Sequence, residues 1–232
     1  MQVKLLRYTS DPERTIAAAA RISYSTRPVP DMIDSMEEEK VTIFLSQLLS
    51  AGHVSPFEHA SFTFYIDGIS RVTSHQLVRH RLASYTQQSQ RYVFHKGLEF
   101  VIPPSITGKP AWKQKFDQFL SQSHELYKQM VADGISVEDA RYILPNAIVT
   151  RLVMTMNARE LMQASSLRLC LKAQWEIVEL FEQIKGEVRK VSQFLGSQLK
   201  PKCYDLTYCN EKESCGLFPV RESPDSGIKA YK

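Results

Sequence analysis

The densest group of side chains able to do chemistry lies in residues 79–91, which hold three arginines, one histidine and two serines. No Asp or Glu occurs between Asp67 and Glu99, so nothing acidic in this stretch of the sequence offsets the positive charge. Guanidinium groups stay ionised and bind phosphate oxygens in a fork, while hydroxyl groups donate further hydrogen bonds. The segment predicts a site for a phosphate-bearing ligand, with a solvated basic face as the alternative interpretation.

The order of residues in this segment is specific. Residues 79–91 read Arg-His-Arg-x-x-Ser-x-x-x-x-Ser-x-Arg, which resembles the signature of the flavin-dependent thymidylate synthases. Further stretches similar to that family lie on both sides, so that the resemblance covers residues 1–200. These stretches are residues 52–59, 76–79, 140–145, 157–162, 166–169 and 173–177.

The resemblance implies an activity and its cofactors. A member of this family methylates dUMP to dTMP, takes its carbon from 5,10-methylenetetrahydrofolate, and uses FAD, recharged by NADPH, as the hydride source. None of the four cysteines lies in a Pro-Cys-His context, which fits a mechanism without a cysteine nucleophile. Arg168 is implied as the catalytic group that polarises the pyrimidine where its N3/O4 region becomes anionic.

The resemblance also implies two sets of binding residues. The dUMP set is Gln76, Arg79, Gln87, Ser89, Gln90, Arg91, Arg141 and Arg168. The FAD set is His53, Ser55, Glu58, His80, Arg81, Asn157, Arg159 and Gln163. We interpret Ser89 as a hydrogen-bond donor, since the sequence shows no triad-like base beside it. No G-x-G pattern is present, so side chains and loops are expected to hold FAD, in sites that several subunits of a homotetramer build together.

Four positions depart from the pattern of the family. Thr86 stands where many members have Asn, Gln87 replaces a common Glu, and Gln163 replaces a common Asn. Lys172 occupies a position that is often His, which leaves flavin contact there open although the ammonium still offers a cation. The effect of these changes on activity is not fixed by the sequence.

Composition agrees with a cytoplasmic protein of one domain. The chain has 232 residues and a net charge of +4, no apolar run approaches the length of a membrane span, and the first residues lack a signal-peptide pattern. The basic segments leave a nucleic-acid-binding protein as one alternative, although no recognised nucleic-acid motif is present. The other alternative is a flavoprotein oxidoreductase without methyl transfer. The arginines of the predicted dUMP set argue against it, because hydride transfer to a flavin does not require them. We predict no nucleic-acid and no membrane partner.

The elements that must position these residues follow from hydrophobic patterning. Residues 60–67 and 148–156 alternate apolar and polar, which predicts two strands, and residues 99–102 predict a shorter one. Gly68 is expected to turn the chain, and residues 81–91 to form an ordered loop. The pattern predicts an α+β fold, a mostly antiparallel sheet packed by long helices. The predicted helices start at residues 12, 36, 71, 112, 158 and 175, the second through a capping box at Ser35 and Glu38.

Three of the four cysteines lie in a C-terminal tail. We divide the chain into a catalytic domain, residues 1–200, and a tail, residues 201–232. Cys203, Cys209 and Cys215 are separated by five residues each, which fits no common zinc spacing, so free thiols without a metal are expected. A disulfide, or a metal that recruits Cys170 as a fourth thiolate, is the alternative.

Overall fold

A four-stranded antiparallel sheet forms the centre of the fold over residues 1–93, 97 and 99–220, which the computed structural model describes. Its strands are β1 (Gln2–Tyr8), β2 (Ser61–Ser70), β3 (Ala83–Gln87) and β4 (Val149–Asn157). The spatial order is β1-β2-β4-β3, with every neighbouring pair antiparallel. The predicted α+β class with a mostly antiparallel sheet is confirmed.

The described residues also form eleven α-helices and two 3₁₀ helices. The α-helices are α1 (Pro12–Arg21), α2 (Val29–Ser35), α3 (Glu38–Ser50), α4 (Arg71–Leu77), α5 (Pro104–Thr107), α6 (Pro110–Ala132), α7 (Val137–Ala140), α8 (Ala158–Arg168), α9 (Trp175–Val191), α10 (Gln193–Gln198) and α11 (Cys203–Leu206). The 3₁₀ helices span Ser55–His59 and Arg141–Ile143. None of these helices is both long and apolar enough to span a bilayer.

The central strands follow their sequence pattern. Phe62, Phe64 and Ile66 of β2 are fully buried and belong to the main core. On the opposite face, the hydroxyls of Thr63 and Thr155 share a hydrogen bond of 2.9 Å across the β2–β4 pair. One face is therefore apolar and the other polar, as period-two alternation predicts. The core lies between the apolar face and the buried sides of α1, α3, α8 and α9.

Gly68 does not turn the chain, and that prediction is wrong. Its φ of 80° lies in the left-handed region, and the pairing of β2 with β4 shifts register between Asp67 and Ile69. A Cβ on this residue would stand 3.1 Å from the backbone of Met1. The glycine thus forms a bulge that lets β2 continue to Ser70, the residue that caps α4.

Two predicted segments take a different structure. Residues 83–87 form the edge strand β3, because pairing with β4 satisfies backbone groups that their small polar side chains could not indicate. The predicted strand at residues 99–102 is reduced to a single bridge between Phe100 and Ile148. The expected loop is therefore wrong over β3, and residues 221–232 of the expected tail lie outside the described residues.

Several predicted helix boundaries and faces also differ. Ser35 does not cap α3; it ends α2, where its hydroxyl donates to the Asp31 carbonyl at 2.8 Å, and Glu37 precedes α3 without a side-chain cap. The long helix expected at 175–195 ends at Val191, since the Ser192 hydroxyl accepts from Leu195 N and starts α10. On α6, Leu120 and Tyr127 are buried, whereas Trp112 and Phe119 are exposed.

Candidate active site

Arg168 ends α8 with its guanidinium group held by two acceptors. Its Nε donates to Nε2 of His80 at 2.9 Å, and its Nη2 donates to the Gln76 carbonyl at 3.2 Å. Both acceptors come from α4 and the residues that follow it, because α4 ends at Leu77. Gln76 therefore lies within α4 and His80 beyond its end, and both reach Arg168.

His80 connects Arg168 to a buried carboxyl group. The side chains of His80 and Glu160 are 7% and 9% exposed, and the His80 Nδ1 lies 3.5 Å from the Glu160 Oε1. Since Nε2 accepts from Arg168, the neutral imidazole carries its proton on Nδ1, facing Glu160. Burial, and then the nearby Arg168 charge, lower the pKa of His80 to about 4. Burial raises the pKa of Glu160, against an opposing effect of Arg159.

The local sequence explains how this Glu160–His80–Arg168 chain forms. Glu160 and Arg168 lie eight residues apart on α8, about 80° from each other around the helix axis, and His80 contacts both side chains. The Asn157 side chain caps α8 by accepting from the Glu160 backbone N–H at 2.9 Å, which fixes the first turn. The Tyr85 hydroxyl of β3 lies 2.9 Å from the carbonyls of both Leu77 and His80. His80 is thus fixed between a helix and a strand.

Positive charge accumulates beside this chain of residues. Burial lowers the pKa of Arg168, and the neighbouring guanidinium of Arg79 lowers it further. Arg79 is exposed, so its charge faces solvent. Two guanidinium groups held close enough to repel each other form a favourable place for an anionic ligand or for developing negative charge.

A second arginine cluster surrounds Glu138 of α7. The Arg91 Nε donates to the Glu138 Oε2 at 2.7 Å, and the Arg141 Nε donates to the Glu138 carbonyl at 2.9 Å. Arg71 completes the cluster, because burial first and the charge of Arg141 second lower its pKa. The cluster thus holds three guanidinium groups, of which Arg91 is paired with the Glu138 carboxylate, and its excess of positive charge is suited to a phosphate.

The polar residues between the clusters follow β3. The Gln87 Nε2 donates to the Thr150 hydroxyl at 3.0 Å, and the Ser89 hydroxyl accepts from the Arg91 backbone N–H at 3.0 Å. Gln90 is half-buried in the same turn. The bond to Arg91 N–H leaves the hydroxyl proton of Ser89 available to a ligand.

The two arginine clusters lie at opposite ends of β3. Ala83 pairs with Met156 near the start of α8, whereas Gln87 pairs with Leu152 and Gln88 N–H donates to the Arg151 carbonyl near the start of β4. A strand of this length separates its ends by about 13 Å. Within one chain, the structure therefore groups Arg79 with Arg168 and, separately, Arg91 with Arg141.

Glu160, which contacts His80, also lines an open cleft of about 880 Å³. Arg159 and Gln163, both predicted for FAD, line it from α8, and Arg159 also forms an ion pair with Glu58. The other residues predicted for FAD do not line the cleft. His53, Ser55 and Glu58 are exposed near Val54, a residue that lines the cleft, and Arg81 is exposed next to Leu82, which also lines it. His80 instead contacts Arg168, and Asn157 caps α8.

Sequence reasoning did not select several residues at these sites. Glu160 lines the cleft and contacts His80, and its signal in the sequence is its place in the family-like stretch 157–162. Lys200 and Asp205 line the cleft from the segment around α11 and form an ion pair at 2.7 Å. Glu138 holds Arg91. Only folding brings these residues to the sites.

The antiparallel sheet positions the Glu160–His80–Arg168 chain beside an open cleft, an arrangement suited to an anionic ligand. The family model described as thymidylate synthase complementing protein matches residues 4–192. A flavin-dependent thymidylate synthase of Geobacter sulfurreducens is 46% identical over 192 residues, which span 80% of this chain and 83% of the relative. Proteins of the same name from Clostridium tetani and Pyrococcus abyssi are 41% and 42% identical, and the matches span 93% and 92% of this chain and 93% and 91% of those relatives. The chain belongs to the flavin-dependent thymidylate synthase family.

The depressed pKa of His80 predicts a loss of stability in acid. The unfolded chain takes up a proton near pH 6.5 while the folded chain does so only near pH 4, so folding becomes less favourable as pH falls through this window. His80→Gln keeps an acceptor for Arg168 but does not titrate. From pH 7 to pH 4.5, we expect the parent to lose about 2 kcal/mol more free energy of unfolding than the variant, measured by denaturant titration.

The comparison with the variant isolates His80 from its neighbours. The raised pKa of Glu160 acts in the opposite sense, because its folded state gives up stability as pH rises, and both proteins contain it. Arg168, which donates to the imidazole, and Tyr85, whose hydroxyl donates to the His80 carbonyl, stay protonated throughout this range. Equal losses in parent and variant would contradict the buried neutral imidazole.

Proposed function

We propose that this protein methylates dUMP to dTMP with 5,10-methylenetetrahydrofolate as carbon donor and FAD, recharged by NADPH, as hydride source. The observation that carries the proposal is the Glu160–His80–Arg168 chain. It joins the cleft that contains Arg159 and Gln163 to a guanidinium group suited to a pyrimidine. The reaction is proposed from family membership, and this arrangement offers neighbouring positions for FAD and dUMP.

The residues of the cleft fit FAD. Its volume lies within the usual range for small-molecule sites, and the cations of Arg159 and Lys200 can bind a pyrophosphate. Serine hydroxyls and the Gln163 amide line the same cleft and suit the ribityl and ring polar atoms. Bound there, the flavin supplies the hydride of the reductive methylation. The predicted contacts of His53, Ser55 and Arg81 would complete the site from its rim.

Arg168 is assigned the electrostatic role in the reaction. Its Nε and Nη2 donate to His80 and to the Gln76 carbonyl, which hold the guanidinium plane in one orientation before the substrate binds. A fixed cation near N3 and O4 stabilises the negative charge that develops on the pyrimidine, and so raises electron density at C5. His80 acts as a positioning residue that accepts a hydrogen bond while neutral.

The cluster around Glu138 is assigned to the phosphate of dUMP. Arg91 and Arg141 offer guanidinium forks there, and the hydroxyl of Ser89 adds a donor. Because β3 separates this cluster from Arg168 within one chain, we propose that a dUMP site combines the Arg91 cluster of one protomer with the Arg168 cluster of another. A homotetramer with shared sites is the assembly that family membership suggests.

Arg91→Ala tests the phosphate assignment. We expect the dUMP dissociation constant to rise by about tenfold or more, with flavin content unchanged, because a charge-assisted bond contributes about 1.5–3 kcal/mol. Isothermal titration calorimetry with dUMP and flavin absorbance of the same sample measure the two effects. Arg7→Ala on β1, an exposed arginine at the opposite edge of the sheet, is the matched control. Normal dUMP affinity with lost flavin would mean that the two sites are exchanged.

The whole proposal is tested with purified protein. We expect flavin absorbance, a change of that spectrum on adding dUMP, and dTMP formation that needs both NADPH and methylenetetrahydrofolate. Flavin reduction by NADPH without dTMP formation would favour the oxidoreductase alternative. A protein that binds no flavin but retains nucleic acid would favour the nucleic-acid alternative.

A further inference from the structure

All four cysteines of the chain line one small cavity between the end of α8 and the segment 201–220. Cys170 comes from the turn after α8, and Cys203, Cys209 and Cys215 come from that segment. The cavity has a volume of about 20 Å³, room for one atom or a single water molecule. Its wall is almost entirely carbon and sulfur, so a water molecule would find few hydrogen-bond partners. None of the four thiols is in a disulfide.

The four thiols come from two separate parts of the chain and line the same cavity. Cys209 is buried, and its backbone N–H donates to the Pro219 carbonyl at 2.6 Å. Residues distant in the sequence thus bring every thiol of the protein to one place.

Apart from ion pairs such as Lys202–Glu211 and Lys172–Glu213, few contacts hold the segment 201–220. Cys209 is its one buried residue. The Lys202 N–H donates to the Ser166 carbonyl at 3.1 Å, and the rings of Tyr204 and Phe218 meet at 5.2 Å. Short segments without a core of their own are commonly held by disulfides or by a structural metal.

We propose that Cys170, Cys203, Cys209 and Cys215 bind one Zn²⁺ ion as thiolates and so fasten the segment 201–220 to the end of α8. Four sulfur ligands suit the tetrahedral geometry of structural zinc. The thiols release four protons to solvent on binding, and the resulting complex carries two negative charges. Lys172 and Lys202 line the same cavity, where each also pairs with a carboxylate, Glu213 and Glu211 respectively. This site goes beyond the proposed methylation of dUMP.

The thiols must move inward to bind the ion. In the described part of the chain, no three His, Cys, Asp or Glu side chains stand close enough to hold a metal as they are. The five-residue spacing of the tail cysteines led the sequence analysis to expect free thiols. The cavity that all four cysteines line is the observation that favours a metal site. Metal binding would draw the thiols together and order the segment 201–220 at the same time.

Elemental analysis of the untagged full-length protein, purified without chelator, tests the proposal. We expect about one zinc per chain, and less than about 0.2 in Cys209→Ser and Cys170→Ser. Tyr204→Phe is the control, since it changes a neighbour of Cys203 but keeps the ring beside Phe218. Replacing zinc with Co²⁺ should give the sulfur-to-metal charge-transfer absorption of a thiolate site.

Three results would overturn the proposal. One is a metal-free protein with four titratable thiols that binds no added Zn²⁺. Another is a disulfide, detected as a mass two hydrogens lower in protein without metal. The third is zinc that stays in every cysteine variant, or iron in its place. Flavin content, measured on the same samples, keeps this test separate from that of the proposed function, because the Cys→Ser variants should lose metal while retaining flavin.

Discussion

Arg168→Ala is expected to lower the rate of dTMP formation by a factor of ~10² or more while the protein stays folded and retains flavin. The guanidinium group is held in place before substrate arrives, through its bonds to His80 and the Gln76 carbonyl. A preorganised charge at a partly desolvated site usually contributes this much to the stabilisation of developing negative charge. Turnover is measured at saturating dUMP, so that weaker binding does not enter the comparison.

Two further measurements test the role of Arg168. Arg168→Lys keeps the charge but cannot bind His80 and Gln76 with one rigid plane, so we expect its rate to remain well below that of the parent. Flavin absorbance and the thermal midpoint should stay near the parent values in both variants. Turnover within tenfold of the parent in Arg168→Ala would show that Arg168 is a solvated helix terminus with no electrostatic role.

Glu176→Ala should lower the free energy of unfolding by about 2–5 kcal/mol. The side chain of Glu176 is 2% exposed, and its two oxygens accept from the Ser70 backbone N–H and the Ser70 hydroxyl, each at 2.6 Å. Truncation leaves both Ser70 donors buried without this partner, and each such group costs about 1–3 kcal/mol. The measurement is denaturant unfolding at fixed protein concentration.

The position of Ser70 explains why this contact matters to the site. Ser70 ends β2 and caps α4, and α4 leads to Gln76 and His80. Glu176 sits in the first turn of α9, where a carboxylate also interacts favourably with the helix dipole. Glu179→Ala, an exposed change in the same helix, should alter the free energy of unfolding by less than about 0.5 kcal/mol. Similar losses in both variants would refute the role given to Glu176.

The sequence predicted the regular core of the fold. Alternation in β2 and β4 and helical spacing in α6, α8 and α9 depend on which face of each element is buried, and burial leaves its pattern in the residues themselves. The signature at residues 79–91 and the stretches around it identified the family, which the matches over residues 4–192 confirm. The individual site residues stay predictions, although the structure does bring Arg159 and Gln163 to one cleft.

Edges and bulges were not predictable in the same way. The polar residues of β3 suggested a loop because their strand conformation comes from pairing with β4. Gly68 suggested a turn because its bulge depends on the close approach of Met1, far away in the sequence. Both features rest on partners that no local pattern records.

The sequence by itself determined the chemistry of this protein: its supply of guanidiniums, hydroxyls and thiols, and the family to which it belongs. Only the tertiary structure decided which of these groups meet. It joined Glu160 to His80 and Arg168, separated Arg91 from Arg168 by the length of β3, and brought Cys170 to the cysteines of the segment 201–220. The physical reason is that such contacts form when distant segments pack on a common core, and that packing depends on the buried faces of the elements, not on the polar residues they carry.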